Sequence, residues 1–382
     1  MTQPEPLPWH EAVLDRGSGR RLEPGFLDRV LGAEETRTLV LWNGKTLVHD
    51  GGIAFLEPAR LPQAGLTVFL GTVPDAAGAD GPGVNGPAQG GQNASPGGLA
   101  GGTDLVLFGF SGNDAPSADA AQTALALAPE GSRWAGYREA ALELAAAEAA
   151  VFIEANAIAN WHASHTHCPK CGSPTEIEAG GWVRRCPRDG SEHYPRTDPA
   201  IIVAVVGPDD RILLGGGSNW DANRYSTLAG FVEPGESLEQ AVVREIAEEV
   251  GVRIHSAQYL GSQSWPFPAS LMLGFTASTD DTEARPDGVE VTRARWFSRE
   301  ELQHAVSSGE VVISARLSIA RALIEHWYGG RIEDAPTVAE QTQPAGPAGT
   351  PGQTAGTVGG GTSAQSTGQA AGQAAGQAAG QR

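Results

Sequence analysis

The chain of 382 residues is poor in cysteine (three) and methionine (two), and its 26 Lys and Arg are outnumbered by 45 Asp and Glu, a formal net charge of −19. Three thiols crowded into one short segment, Cys168, Cys171 and Cys186, cannot supply a disulfide framework and point to a metal site. The shortage of positive charge argues against a broad nucleic-acid face, because phosphate contacts need clustered Lys and Arg. No run of about eighteen apolar residues is available to span a bilayer. The opening "MTQPEPLPWHEAVLDRG" lacks the charged-then-apolar pattern of a secretory signal. The expectation is a cytoplasmic protein, with length enough for two domains.

What is present separates by texture. Between residues 36 and 110 lie short β-rich runs, "TRTLVLWNG", "KTLVHD", "LTVFLG" and "DLVLFGF", divided by turn residues. Residues 75–102 are too rich in Gly and Pro to bury a core and read as a disordered insertion. Tyr137 to His162, rich in Ala and Glu with no internal Gly or Pro, predicts a helix. The resulting division is an N-terminal α+β domain over 1–163, a cysteine segment over 164–197, a mixed α/β domain over 198–330, and a low-complexity tail over 331–382.

The cysteine segment reads Cys-x2-Cys, fourteen residues, then Cys-x2-Asp. Two knuckles at about this spacing mark a zinc ribbon, in which four ligands close a tetrahedron. Asp189 stands where the fourth cysteine belongs, and His193 is the alternative ligand; His165 and His167 are further candidates. Four filled positions leave none open, so the ion would be structural, one per chain. A redox Cys-x-x-Cys or a ribbon without metal are the competing readings.

"GFVEPGESLEQAVVREIAEEVGV", Gly230 to Val252, fits G-x5-E-x7-R-E-U-x-E-E-x-G-U, with U aliphatic, at Gly230, Glu236, Arg244, Glu245, Ile246, Glu248, Glu249, Gly251 and Val252. The seven Gly, Glu and Arg positions would each match by chance in roughly one residue of fifteen, so a coincidence in the chain is on the order of one in a million. Pro234-Gly235 predicts a turn, Ser237 with Gln240 a capping box, and Val242, Val243, Ile246 and Val250 an apolar stripe. On that helix Glu245 shares a face with Glu248 and Glu249, where each like-charge pair costs roughly 0.2–0.5 kcal/mol. A solvated helix face tolerates this cost. A hard cation would turn it into binding, since Mg²⁺ and Mn²⁺ prefer carboxylate oxygens and usually share them with substrate phosphates.

This box resembles that of the Nudix hydrolases, which cleave nucleoside diphosphates linked to another moiety. The resemblance implies an α/β/α sandwich with a mixed sheet, and Mg²⁺ or Mn²⁺ held by Glu245, Glu248 and Glu249. Glu249 is also implied as activator of water, with Arg244 as the organising partner and Glu236 supporting the loop or metal.

Shortly after the box, "GSQSWPFPASLMLGF" sets two prolines around a phenylalanine inside a strand-like run, which predicts a stiff aromatic loop. It is similar to the S-Q-P-W-P-F-P-x-S box of the NADH pyrophosphatase (NudC-type) branch, with Ser264 for the usual first proline and Ala269 where glutamine is common. That branch also carries the preceding ribbon, a Tyr-Pro pair (here Tyr194-Pro195) and the "LAGFVEPGE" form of the acidic box. The likeness covers about residues 160–325. It implies a substrate site lined by Gln263, Ser264, Trp265, Pro266, Phe267, Pro268, Ala269 and Ser270, with Phe231 and Tyr194 as rings for nicotinamide. Ala229 and Ala320 would add contacts, Glu290 a further metal carboxylate, and Arg138 an N-terminal substrate contact. Tyr194 is implied to reach across a homodimer interface. Pre-set prolines lower the ordering cost of closing on a ligand, and offset ring stacking adds about 0.5–1.5 kcal/mol beyond buried area.

The expected reaction is hydrolysis of NADH or NAD⁺ to NMNH or NMN plus AMP. An NAD-capped RNA 5′ end is the nearest alternative substrate and can coexist with the dinucleotide. Broader action on ADP-ribose or dinucleoside polyphosphates follows. A non-catalytic ligand sensor would show a broken acidic box, and this box is intact.

Overall fold

The computed structural model describes residues 14–75, 98–111 and 115–335. Most of the expected insertion, and the expected tail beyond residue 335, lie outside the described residues. Among the described residues the strands form three sheets.

The four β-rich runs become strands of the first sheet. β1 (Arg37–Trp42), β2 (Lys45–His49), β3 (Gly52–Ile53), β4 (Leu66–Thr72), β5 (Asp104–Phe110) and β6 (Arg133–Gly136) take the order β3-β2-β1-β5-β4, with β6 beside β2. β1 and β5 pair in parallel from Arg37↔Leu105 to Trp42↔Phe110, while β4 meets β5 antiparallel, so the sheet is mixed. Helices α1 (Phe26–Leu31) and α2 (Ala115–Leu127) contribute Phe26, Val30, Ala120 and Ala124 to a core shared with Val40, Leu47, Phe69, Val106 and Phe108. The near-continuous apolar runs of β1 and β5 suit strands whose residues are buried on both faces.

The single helix expected from Tyr137 to His162 is two: α3 (Tyr137–Ala140) and α4 (Ala146–Ser164). Composition gave no breaker, but Glu148 bends back to accept the N–H groups of Ala145 and, at 2.7 Å, of Ile53. Its carboxylate thereby satisfies an open donor at the start of α4, as a residue at the third helical position does in a capping box. A tertiary contact starts a new helix where local propensity would have continued the old one.

β7 (Glu176–Glu178), β8 (Val183–Arg185) and β9 (Glu192–His193) form the small antiparallel sheet of the cysteine segment. It is tied to α4 by two buried side chains. His162 bonds Gly181 O through Nε2 at 2.8 Å, and Arg184 Nη1 lies 2.9 Å from its Nδ1. Burial pushes His162 down to about 4, leaving Nδ1 free to accept from the guanidinium.

The third sheet takes β10 (Asp198–Val206), β11 (Ile212–Gly217), β12 (Leu228–Phe231), β13 (Ser256–Trp265), β14 (Ser270–Ser278) and β15 (Val291–Phe297), in the order β13-β14-β10-β11-β15 with β12 on β10. β11 pairs antiparallel with both β10 and β15. Helices α5 (Leu238–Val250), α6 (Arg299–Ser307) and α7 (Ile319–Tyr328) complete the α/β arrangement. The aromatic box is the tip of the β13–β14 hairpin, its four loop residues being Pro266 to Ala269.

The chain packs as two compact units. One comprises the residues up to Ile201 with Tyr259–Gly274; the other comprises Ile202–Gln258 and the residues from Phe275 onward. The ribbon and the aromatic hairpin tip belong to the first unit, the acidic helix to the second.

Candidate active site

The acidic helix begins where sequence placed it. Ser237 Oγ accepts from Gln240 N at 3.2 Å and Gln240 Oε1 accepts from Ser237 N at 2.9 Å, a complete capping box. Gly251 ends the helix with φ +67°, a left-handed geometry that a side chain disfavours. Ala241, Val242, Ile246 and Val250 are fully buried, each Val or Ile contributing about 1.5–3 kcal/mol. Val243, expected in the stripe, is instead 46% exposed. At about 100° per residue the buried arc of 241, 242, 246 and 250 is centred nearer to 249 than to 243, because Ala241 pulls it that way.

That geometry divides the three helical glutamates. Glu248 is 63% exposed, Glu245 13%, and Glu249 7%. Glu249 therefore places a carboxylate within the apolar face, where burial, then the charges of Glu245, Glu290, Asp287 and Glu248, push it up to about 9. Its Oε2 is buried without a hydrogen-bond partner. Burial likewise raises Glu245.

Arg244 holds the group in register. Its Nε and Nη2 fork onto Glu236, both at 2.8 Å, and Nη2 also donates to Phe231 O at 2.9 Å. Nη1 reaches Glu245 at 2.9 Å and Glu248 at 3.1 Å. The planar fork can serve these acceptors together, which a lysine could not. The Arg244 bond, outweighing partial burial, holds Glu236 down at about 2. Gly230, on β12, is the floor beneath this cluster. A Cβ there would stand 2.0 Å from Glu245 Cδ, so only glycine leaves room for the carboxylate.

Glu290 is exposed on the turn before β15. Sequence reading missed the residue that shapes that turn, Asp287. Its carboxylate accepts the N–H groups of Val289, Glu290 and Val291 at 3.2, 3.2 and 2.9 Å, and its own N–H donates to Glu249 O at 2.9 Å. An Asp followed by Gly, as in "DGVEV", was the available turn signal.

Ala229 and Phe231 lie on β12, partly exposed. Ala320 is 2% exposed in the first turn of α7, its N–H donating to Ser318 Oγ at 3.2 Å. These residues share the second unit with the carboxylates.

The first unit holds Tyr194 and the hairpin tip. Tyr194 is 60% exposed, its hydroxyl bonded to Glu192. Gln263, Pro266 and Ser270 are buried, Trp265, Phe267 and Ala269 are partly so, and Ser264 and Pro268 are exposed. Trp265 and Phe267 pack edge to face at 5.1 Å between ring centres. Tyr137 and Arg138 of α3 meet them, the Arg138 guanidinium lying 5.7 Å from the Trp265 ring and 5.8 Å from that of Phe267. Asn160 of α4 donates its side-chain amide to Pro266 O at 2.8 Å and Pro268 O at 3.2 Å. Two of the four tip residues are prolines without an N–H, so the tip has few donors of its own and these carbonyls are met from α4.

In the ribbon, Cys168, Cys171, Cys186 and Asp189 each bring one ligand atom within 4.8 Å of the others. Among the described residues no other group of three or more Cys, His, Asp or Glu meets that spacing. The two knuckles repeat in sequence and in bonding, as CPKCGS and CPRDGS. Cys168 N donates to Ser173 O and Cys186 N to Ser191 O; Gly172 N donates to Cys168 O and Gly190 N to Cys186 O. Asp189 so occupies the place of Cys171 in the second copy. The Ser191 hydroxyl and backbone N–H hold its carboxyl below the usual range, in the anionic form a cation prefers. His193 stands one hydroxyl away, its Nε2 3.2 Å from Ser191 Oγ. His165 and His167 are outside the group.

Residues 196–316 match the family model described as the NUDIX domain, and residues 163–194 match the NADH pyrophosphatase zinc ribbon domain. The chain belongs to the Nudix hydrolase family, in the branch that carries this ribbon. It is 43% identical over 202 residues to the NAD-capped RNA hydrolase NudC of Stutzerimonas stutzeri, covering 53% of this chain and 70% of that one. It is 42% identical over 183 residues to the enzyme of the same name from Mycobacterium tuberculosis (45% and 58%). Against the human NAD-capped RNA hydrolase NUDT12 it is 38% identical over 200 residues (49% and 43%). The match spans less than two thirds of the mycobacterial and human relatives. No helix among the described residues is long and apolar enough to cross a membrane.

Proposed function

We propose that this chain hydrolyses the pyrophosphate bridge of NADH or NAD⁺, releasing NMNH or NMN plus AMP, and that it does so with Mg²⁺ or Mn²⁺. The observation that carries the reading is the Glu249 carboxylate, buried beside Glu245 and Glu290 with one oxygen unpartnered. A buried acceptor aimed into a cluster of like charge is costly unless a cation meets it. By charge and burial Glu249 and Glu245 fit such an ion; no three of these carboxylates lie within 4.8 Å of one another here, so Glu248 and Glu290 would close in to hold it with them. Bound there, it would neutralise the bridging phosphates and lower the pKa of the attacking water.

The remaining work falls to the chain. Ionised once a bound cation offsets its burial and its acidic neighbours, Glu249 would take the proton from water as the oxygen attacks phosphorus and the phosphoanhydride bond to the leaving nucleotide breaks. Arg244 keeps Glu245 and Glu248 from drifting apart by sharing one guanidinium between them. Phe231 stacks on the nicotinamide, with Ala229 and Ala320 as neighbouring contacts, and the hairpin tip Gln263–Ser270 recognises the planar substrate. Tyr194, largely exposed, is assigned to the substrate of a partner copy in a homodimer. Zinc in the Cys168, Cys171, Cys186 and Asp189 site would be structural, because four ligands leave no open position. The functional division follows as ribbon over 164–197 and hydrolase domain over 198–330.

A second reading, NAD carried at the 5′ end of RNA, is favoured by the names of the relatives and requires no different chemistry. Both are tested by incubating the purified chain with NADH, NAD⁺, ADP-ribose and NAD-capped RNA, with and without Mg²⁺ or Mn²⁺, and identifying the products. The expected result is metal-dependent release of AMP from the free dinucleotides and of a 5′-monophosphate end from the RNA. Faster cleavage of ADP-ribose would move the specificity to the broader reading. Tight binding with no cleavage of any substrate would make the chain a sensor.

A further inference from the structure

Beside the carboxylate cluster, and outside every residue assigned above, lies a second group in the same unit. β11 ends in three glycines, and its register against β15 shifts between Gly216 and Gly217. Such bulges redirect the side chains around them and recur near active sites. The glycines make room for particular groups. A Cβ on Gly216 would stand 2.8 Å from Arg293 Nη2, and one on Gly217 would stand 3.3 Å from the Trp220 indole. The Arg224 guanidinium lies over Trp220, 5.3 Å from the ring centre, and Arg293 lies 5.9 Å from the ring of Tyr225. Arg293 Nη2 donates to Asp221 O at 3.1 Å, while its Nε is buried without a partner. Ser218 N donates to Glu290 O at 3.2 Å, which ties this loop to the carboxylate turn.

Among the described residues most arginines pair with a carboxylate, and Arg224 and Arg293 belong to the minority that do not; their contacts are to aromatic rings, a hydroxyl and a carbonyl. Two uncompensated guanidiniums layered with two rings form what a single-stranded nucleic acid uses, planar surfaces for a base and cations for its phosphate. We infer that Trp220, Arg224, Tyr225 and Arg293 form a platform for the nucleotide that follows the NAD moiety in a capped RNA. The inference rests on the proposed hydrolysis at the neighbouring carboxylates, because in the cap that nucleotide is joined to the adenosine 3′-oxygen, one nucleoside away from the pyrophosphate. The patch is small within a chain of net charge −19, so it suits the first one or two nucleotides of a leader and not a long RNA track.

The test compares the full-length chain with its Trp220→Ala and Arg224→Gln variants on NADH and on an NAD-capped RNA oligonucleotide. The Arg224 side chain bonds nothing beyond the indole, so its replacement leaves the fold in place even if Trp220→Ala does not. Trp220→Ala is expected to lower kcat/KM for capped RNA about tenfold, the worth of one stacked base, with NADH unchanged within about twofold. Arg224→Gln is expected to reduce the log–log salt slope for capped RNA by about 0.7, one phosphate contact on a single strand. Equal losses on both substrates would overturn the inference, since the patch would then belong to the dinucleotide pocket; so would no loss on either. Anisotropy of labelled capped RNA with no Mg²⁺ or Mn²⁺ added, the ribbon zinc left in place, gives the same comparison as a Kd. It separates failure of the platform from failure of the proposed chemistry, because it needs no turnover.

Discussion

Glu249→Gln isolates the tension on which the active-site reading depends. In the folded chain this carboxyl titrates at about 9, against an ordinary value of 4.5. The native state therefore keeps a proton that the unfolded chain has already released. Stability from this group is complete below about pH 4.5 and is lost as pH rises toward 9. At pH 7 the loss is about 3 kcal/mol, at roughly 1.4 kcal/mol for each pH unit above 4.5, and Glu249 is buried enough for most of it to survive solvent screening. Glutamine has the same shape and no charge to desolvate. With Mg²⁺ and Mn²⁺ omitted, the variant should therefore be the more stable protein at pH 7, by up to about 3 kcal/mol, and its advantage over wild type should widen as pH rises from 5 to 8.5. Its turnover with Mg²⁺ should fall at least about a hundredfold, the scale of losing a positioned general base. Urea unfolding at pH 5, 7 and 8.5, with NADH turnover measured in parallel, reads both effects. Wild type and variant with parallel pH profiles would refute the assigned burial penalty, and near-wild-type turnover would refute the role.

Three other perturbations follow from the same geometry. Gly230→Ala puts a methyl group 2.0 Å from the Glu245 carboxylate carbon, and should cut kcat at least about tenfold, a small part of what catalytic groups contribute, while circular dichroism stays native. Wild-type kcat in this variant would show that Glu245 can move without cost. Metal analysis of the purified chain should find about one zinc ion per chain, lost on chelation and retained less well in Asp189→Ala; zinc-free protein that is fully folded would end that assignment. Asn160→Ala removes the donor to Pro266 and Pro268 carbonyls. It should raise KM for NADH several-fold with kcat nearly unchanged, since one neutral hydrogen bond contributes about 1 kcal/mol; a loss confined to kcat would place Asn160 elsewhere in the mechanism.

Some of this was legible before any coordinates. The Ser237–Gln240 capping box and the Pro234-Gly235 turn are local devices, and each appears where the residues placed it. The four apolar runs of the first sheet likewise needed only β propensity and turn residues. The unbroken Tyr137–His162 helix and the inward Val243 were misjudged for related reasons. Glu148 found partners in Ala145 and in Ile53, 95 positions back in the chain, and a stripe drawn by residue type overlooked that a carboxylate, not Val243, held the inward position.

Local order in the chain determined the identity of the chemistry-bearing groups. Carboxylates three and four residues apart must share a helical face, and a knuckle repeated as CPKCGS and CPRDGS must present Asp189 where its twin presents Cys171. Tertiary structure alone decided how those groups differ. Packing α5 against the sheet buries Glu249, covers most of Glu245 and leaves Glu248 in water, and Gly230 on a separate strand makes the space that Glu245 fills. Spacing sets direction along a helix, but the dielectric around each side chain depends on what the rest of the fold lays over it.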